Sequence, residues 1–385
     1  MKKFIRKSSP YVLIGIIYLL IGESYLSIFK ENTPITEVAS IQATNNQELY
    51  YSRRLFKNLL TTYKYECLQN KQPKVLIVGQ SVVLQFRDFM FHPFEKGFYN
   101  TGLMARNVKD LEYLLHQFTN GTIKQPEIVV LGLDFTFVLQ TNELDRKEWI
   151  KDRPEDHIYK TKAHFNAFQK IFLNENMRKI PEENYGFGKA GMIGRGYRND
   201  GSHRHKPEIE QYIFDSSNYD SKLREDLKNR VHPFCEPIAF DSTKGATLKR
   251  VLEQYKENGI SLLLYFPPFS DQFFNTATQD RSFNRLWKKY IAYQNMLISE
   301  GYDVISFTTP SQIDLNDDYM IDAGHPSEVI CGIQLYNYLR STNVRDKRLT
   351  SIDTENLRLL INDKQTMPKS FLKDEISASL IAKKK

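Results

Sequence analysis

Cysteine and tryptophan are scarce, with three and two copies in 385 residues. So few thiols exclude a disulfide-stapled scaffold, and Cys67, Cys235 and Cys331 lack the close spacing of a metal site. All three cannot pair. One disulfide outside the cytoplasm and three buried thiols are the two arrangements left open. No internal repeat is present, which excludes a solenoid or propeller. A one-signed charge excess is missing from the body as well. Of the net +7, residues 1–29 carry +3 and Lys383–Lys385 another +3, leaving +1 for residues 30–382. A nearly neutral body argues against a nucleic-acid binder, whose affinity comes from phosphate neutralisation. Basic residues at the first end have a different explanation.

Lys2, Lys3, Arg6 and Lys7 precede the one long apolar run, Pro10 to Phe29. As a helix these positions reach about 30 Å, enough to cross a hydrocarbon core. The positive-inside bias then makes residues 1–9 a cytoplasmic basic segment and residues 10–29 a transmembrane anchor. A cleaved signal peptide is the rival, but the nearest small-residue site, Val38-Ala39-Ser40, lies too far downstream. Glu23 inside the span either snorkels to the outer interface or meets a partner membrane protein. The orientation places everything after the span in the periplasm or extracellular space.

Hydrophobic residues make up 41% of the chain and aromatics 13%, so a sizeable core is expected. Residues 30–50 are polar without a sustained apolar period and read as a linker; Tyr50 to Leu68 turns helical. Four aliphatic runs follow, Lys74–Val78, Glu127–Leu133, Ile260–Phe266 and Tyr302–Phe307, separated by helical patterns at Val108–Phe118, Thr243–Asn258 and Phe283–Glu300. Strand alternating with helix predicts a doubly wound α/β domain over residues 51–345. Residues 141–237 break the rhythm with charge, aromatics and glycine, and read as a large insertion over the crevice. Residues 346–385 form a polar C-terminal tail with one helix at Ser351–Ile361.

Ligands in open α/β sheets bind beyond the carboxyl ends of the strands. Ser81, in "KVLIVGQSVVLQF", stands at that level, just before a predicted helix. It either caps the helix or acts as a nucleophile beside the helix N-terminus. Asp322 and His325, three residues apart in "YMIDAGHPS", follow the last strand on the same rim. A serine hydroxyl is a poor nucleophile until an imidazole takes its proton, and the imidazole works best when a carboxylate orients it. The bland alternative is a capping aspartate and a surface histidine. His203 and His205 near Asp200 lack a third ligand, so no metal is expected there and a solvated polar loop is. "YFPPFS" at Tyr265–Ser270 is expected to form a rigid rim.

Gly79-Gln80-Ser81, Gly102 in "FYNTGL", Gly132 and Asp134 in "VLGLDF", and Asp322-x-x-His325 together resemble the blocks of the SGNH (GDSL-type) hydrolase superfamily. The resemblance covers residues 74–134 and 250–340 and implies a three-layer, flavodoxin-like sheet. It also implies a Ser81, His325 and Asp322 triad without cofactor, and an oxyanion pocket from the amides of Ser81 and Gly102. Asp134 departs from the pattern: the third block usually offers an asparagine donor, and an ionised carboxylate only accepts. The anchor, insertion and "YMIDAGHPS" are most similar to membrane-anchored SGNH-like proteins related to alginate-acetylation and D-alanylation factors. This implies acyl transfer through Ser81 to polysaccharide or cell-wall polymer hydroxyls, beside a membrane-bound O-acyltransferase. Tyr185, Phe187, Tyr197 and Arg198 are then candidate sugar contacts, or else pack an accessory layer. The alternative function is a non-catalytic glycan-binding or scaffold partner of the same fold.

Overall fold

All four aliphatic runs form strands, as Val, Ile and Leu suit strands buried inside a sheet. The computed structural model describes residues 2–52, 60–139, 164–169, 184–204, 217–231, 234 and 238–361. The strands are Val75–Val78, Ile128–Gly132, Ser261–Tyr265 and Asp303–Ile305, joined by a fifth, Phe98–Asn100, too short for its pattern to show in sequence. All pair in parallel, in the spatial order Phe98–Asn100, Val75–Val78, Ile128–Gly132, Ser261–Tyr265, Asp303–Ile305. The chain is thus a mixed α/β protein with a parallel sheet. Its first strand in sequence has the second on one side and the third on the other, and at such a switch point a crevice opens.

Two compact units are present, Lys71–Asp145 with Asp200–Lys385, and Met1–Asn70 with Arg146–Asn199. In the first, helices Val108–Thr119, Ser242–Glu257 and Arg281–Ser299 begin on Asn107, Asp241 and Asp280, whose side chains accept the first free amides. Helix Glu328–Leu339 buries Ile330, Ile333 and Leu335 against Val75, Ile77, Val130 and Leu263. Each such aliphatic side chain contributes about 1.5–3 kcal/mol relative to exposure. Leu349, Ile352 and Leu357 complete this core, and the helix expected at Ser351–Ile361 forms over Thr354–Ile361, so the first part of the polar C-terminal stretch packs on the domain. Residues 362–385 lie outside the described residues.

In the other unit, helix Lys2–Ile28 contains a segment, Ser9–Ile28, long and apolar enough to cross a membrane. Glu23 finds partners within its own unit: its carboxylate meets His164 Nε2 at 2.7 Å and accepts from Asn32 Nδ2 at 2.5 Å. The expected linker is corrected, because Ile35–Thr44 is a helix. Val38 and Ala39, with Gln42 four and three residues on, supply its buried stripe, a run too short to stand out in sequence. Tyr50–Tyr51 is strand rather than helix, parallel to Gly186–Phe187 and antiparallel to Gly196–Tyr197. Most of the expected insertion falls outside the described residues. Cys67 and Cys331 are buried, and Cys235 is outside the described set.

Candidate active site

The register that sets Val78 opposite Leu131 brings Gly79 beside Gly132. Gly79 has φ +148°, and a Cβ there would stand 3.1 Å from the Gly132 carbonyl oxygen. A Cβ on Gly132 would meet Val83 Cγ1 at 2.2 Å, so the corner closes only with both side chains absent. The predicted helix after it does not form; Ser81–Val83 is a single 3₁₀ turn. Two β-branched valines disfavour a helix, and Asn100 Nδ2 takes the Val83 and Phe86 carbonyls at 2.7 and 3.0 Å. Ser81 caps nothing. Its Oγ lies 2.7 Å from His325 Nε2. Among the described residues its backbone amide meets no acceptor.

His325 is held by a hairpin of Met320–Asp322 and His325–Pro326, bulged between Met320 and Asp322. Asp322 Oδ1 accepts the Gly324 and His325 amides at 2.9 and 3.0 Å, while both carboxylate oxygens lie 2.8 Å from His325 Nδ1. The three-residue spacing therefore lets one carboxylate close its own turn and orient the ring. Nδ1 carries the proton toward Asp322, leaving Nε2 to accept from the Ser81 hydroxyl. With 36% of its side chain exposed, His325 is reachable from solvent.

Burial alone would lower the His325 pKa, but the Asp322 charge and hydrogen bond, with the more distant Asp134 charge, raise it above the ordinary value. Asp322 is the mirror case. Burial pushes it up, yet His325 and the two amides hold it below the usual carboxylate range.

Asp134 caps the turn Phe135–Val138, its Oδ1 accepting from Thr136 N–H at 2.8 Å and from the Thr136 hydroxyl. Gln80 donates to the Thr136 oxygen and to the Arg106 carbonyl at 3.2 Å, tying three loops around Ser81. Burial pushes Asp134 up to about 6, against the pull of Thr136 and His325. The Gly102 amide, expected as an oxyanion donor, is instead given to Asn100 Oδ1 at 2.8 Å. Asn100 consumes it because the same carboxamide braces the serine turn.

The candidate sugar contacts belong to the packing of the Met1–Asn70 and Arg146–Asn199 unit. Phe187 is buried beneath Lys30, and Arg198 is buried with Glu48 3.9 Å away. Tyr197 faces Tyr63 and Lys64, so of the four only Tyr185, 43% exposed, presents a broad face to solvent. Their aromatic and cationic character serves packing, the alternative already open. "YFPPFS" is buried rather than a rim: Phe269 packs against Gly324, and the Ser270 amide donates to the Ala323 carbonyl at 2.9 Å. Asp200 is buried too, on Arg87 at 3.0 Å, where a solvated loop was expected. No group of three or more metal-ligating residues occurs among the described residues. Sequence reasoning missed Asn100, Arg87, Asp200 and Glu328. Asn100 lies inside "FYNTGL", and Arg87 and Glu328 directly follow "KVLIVGQSVVLQF" and "YMIDAGHPS"; but Arg87 finds its carboxylates 113 and 241 positions away, a pairing with no local signal. No known protein family, curated protein or solved structure matches the chain.

Proposed function

We propose that the chain is a membrane-anchored serine O-acyltransferase or esterase of SGNH type, its α/β body outside the cytoplasm, acting on polysaccharide or cell-wall polymer hydroxyls. The fold proposed with it is the three-layer, flavodoxin-like arrangement carrying a large insertion. One observation carries the reading: an alcohol, an imidazole and a carboxylate in unbroken hydrogen-bond contact at 2.7 and 2.8 Å beyond the strand ends of a parallel sheet. In that arrangement Ser81 Oγ attacks the acyl carbon of a donor as its proton passes to His325 Nε2. The imidazolium returns the proton to the departing group, leaving an ester on Ser81. An acceptor hydroxyl then attacks the ester carbon, gives its proton to His325, and Ser81 regains it on release. Asp322 stabilises the imidazolium in both halves. The Ser81 amide is the proposed donor to the oxyanion, and a membrane-bound O-acyltransferase the proposed partner.

A second reading, a non-catalytic glycan-binding or scaffold protein, is favoured by the engaged Gly102 amide and by a carboxylate at Asp134. The two separate on p-nitrophenyl acetate treatment followed by mass spectrometry. The enzyme reading expects an acetyl adduct on Ser81, absent in Ser81→Ala. Wild type that binds glycan without any adduct or turnover supports the scaffold.

A further inference from the structure

Arg87 lies six residues after Ser81 and is 1% exposed. Its Nε donates to Asp200 Oδ2 at 3.0 Å, and its Nη1 donates to the two oxygens of Glu328 at 3.2 and 3.3 Å. Glu328 is fully buried, opens helix Glu328–Leu339, and stands three residues after His325. Asp200 is itself fixed: Oδ2 also accepts the Asp88 amide at 3.2 Å, while Oδ1 accepts the Ser202 amide and hydroxyl at 2.9 and 2.6 Å. Its carbonyl accepts the Asn100 amide at 2.8 Å, and Asn100 braces Val83 and Phe86. The stretch from Ser81 to Arg87 is thus gripped by Asn100 along its length and by two carboxylates at its end.

Taking ions out of water costs several kcal/mol each, and apolar residues of similar volume often serve stability as well or better. What apolar contact does not supply is direction, since it is indifferent to orientation. A planar guanidinium whose Nε and Nη1 are taken by two different carboxylates fixes both the distance and the angle between them. The 2.7 Å contact between Ser81 and His325 joins segments 244 residues apart, on a 3₁₀ turn and a small hairpin. From this we infer that Arg87 is a positioning residue, whose grip on Glu328 sets the spacing between the serine turn and the histidine hairpin. The inference rests on the serine-nucleophile reading, and it adds a task for a residue that touches none of the reacting atoms.

The test uses the full-length chain in detergent, with the rate of Ser81 acetylation by p-nitrophenyl acetate followed by mass spectrometry from about pH 5 to 9. In Arg87→Met/Glu328→Leu/Asp200→Asn the charges are gone together, so no ion is left buried alone. Its thermal midpoint should stay near that of wild type while the high-pH plateau falls roughly 10- to 100-fold, as for a misplacement of about 1 Å. The pH midpoint should move little, because Asp322 and His325 travel on one hairpin. Arg87→Lys, which keeps the charge and loses the planar group that reaches both carboxylates with separate nitrogens, should fall between. It carries the test if the triple variant does not fold. A plateau within about twofold of wild type, in the folded triple variant or in Arg87→Lys, overturns the positioning role. Wild type that never acetylates Ser81 overturns the nucleophile reading itself, so the two failures are distinct.

Discussion

Two aspartates act on the same imidazole, one by contact and one through its charge, and are driven in opposite directions. Asp322 sits in a turn that turns two amides and a ring N–H toward it, and its carboxylate is held low. Asp134, on the neighbouring loop, receives one amide and one hydroxyl, both from Thr136, and burial lifts it to about 6. Residue type is the same; the number of donors that meet the charge differs. The stability each contributes has opposite pH sense. Asp322's share is present at neutral pH and lost as acid protonates it, whereas Asp134 favours the fold while protonated and opposes it once ionised. One carboxylate is held charged against the imidazole; the other keeps its proton up to about pH 6.

The comparison breaks most visibly in Asp322→Asn. The amide still accepts from Gly324 and His325 backbone, so the hairpin should fold, but the ring loses the acceptor that fixes its tautomer. Acetylation of Ser81 should fall on the order of 10³- to 10⁴-fold, the scale seen when a triad aspartate is replaced. A rate equal to wild type would remove Asp322 from the chemistry and leave it a turn residue. Asp134→Asn should act on stability instead. An unfolded aspartate titrates near 3.9, so raising it to about 6 makes folded wild type lose about 3 kcal/mol between roughly pH 4 and 7. The asparagine variant has no proton to lose. Denaturant unfolding should find the two alike at about pH 4 and the variant more stable at about pH 8. A difference independent of pH would mean that the carboxyl is not desolvated.

How much of this contrast was legible in the sequence depends on range. Four of the sheet's five strands and the Asp-x-x-His turn are local patterns, and they stand where periodicity and spacing put them; the fifth strand, Phe98–Asn100, is too short to show one. Ser81 was legible as a corner residue, because Gly79 and the strand before it signal a corner. The turn after it was not, since Asn100, 17 residues from Val83, takes the carbonyls a helix would have used. Gly102 failed for the same cause. An amide looks available in sequence until the carboxamide that claims it is in place. Phe187 and Arg198 were legible as aromatic and basic, and those properties suit packing as well as sugar binding. Buried charge was the least visible, because Arg87, Asp200 and Glu328 read as ordinary surface residues until the fold brings them together.

A smaller effect follows on the pH dependence of Ser81 acetylation. His325 must be neutral to accept the serine proton, so the rate should climb about tenfold per pH unit below its midpoint and level off above it. Because Asp322 and Asp134 both raise the imidazole, that midpoint should lie above the ordinary value of about 6.5. The smallest expected change separates the two carboxylates. Asp134 carries its charge above about pH 6, where that charge helps to hold the proton on His325. Asp134→Asn should move the midpoint down, and by less than loss of Asp322 would, since Asp134 makes no hydrogen bond to the ring and acts through its charge alone. If the midpoint stays fixed while the stability difference appears, Asp134 is desolvated without facing His325, and the pairing of two carboxylates on one imidazole reduces to one.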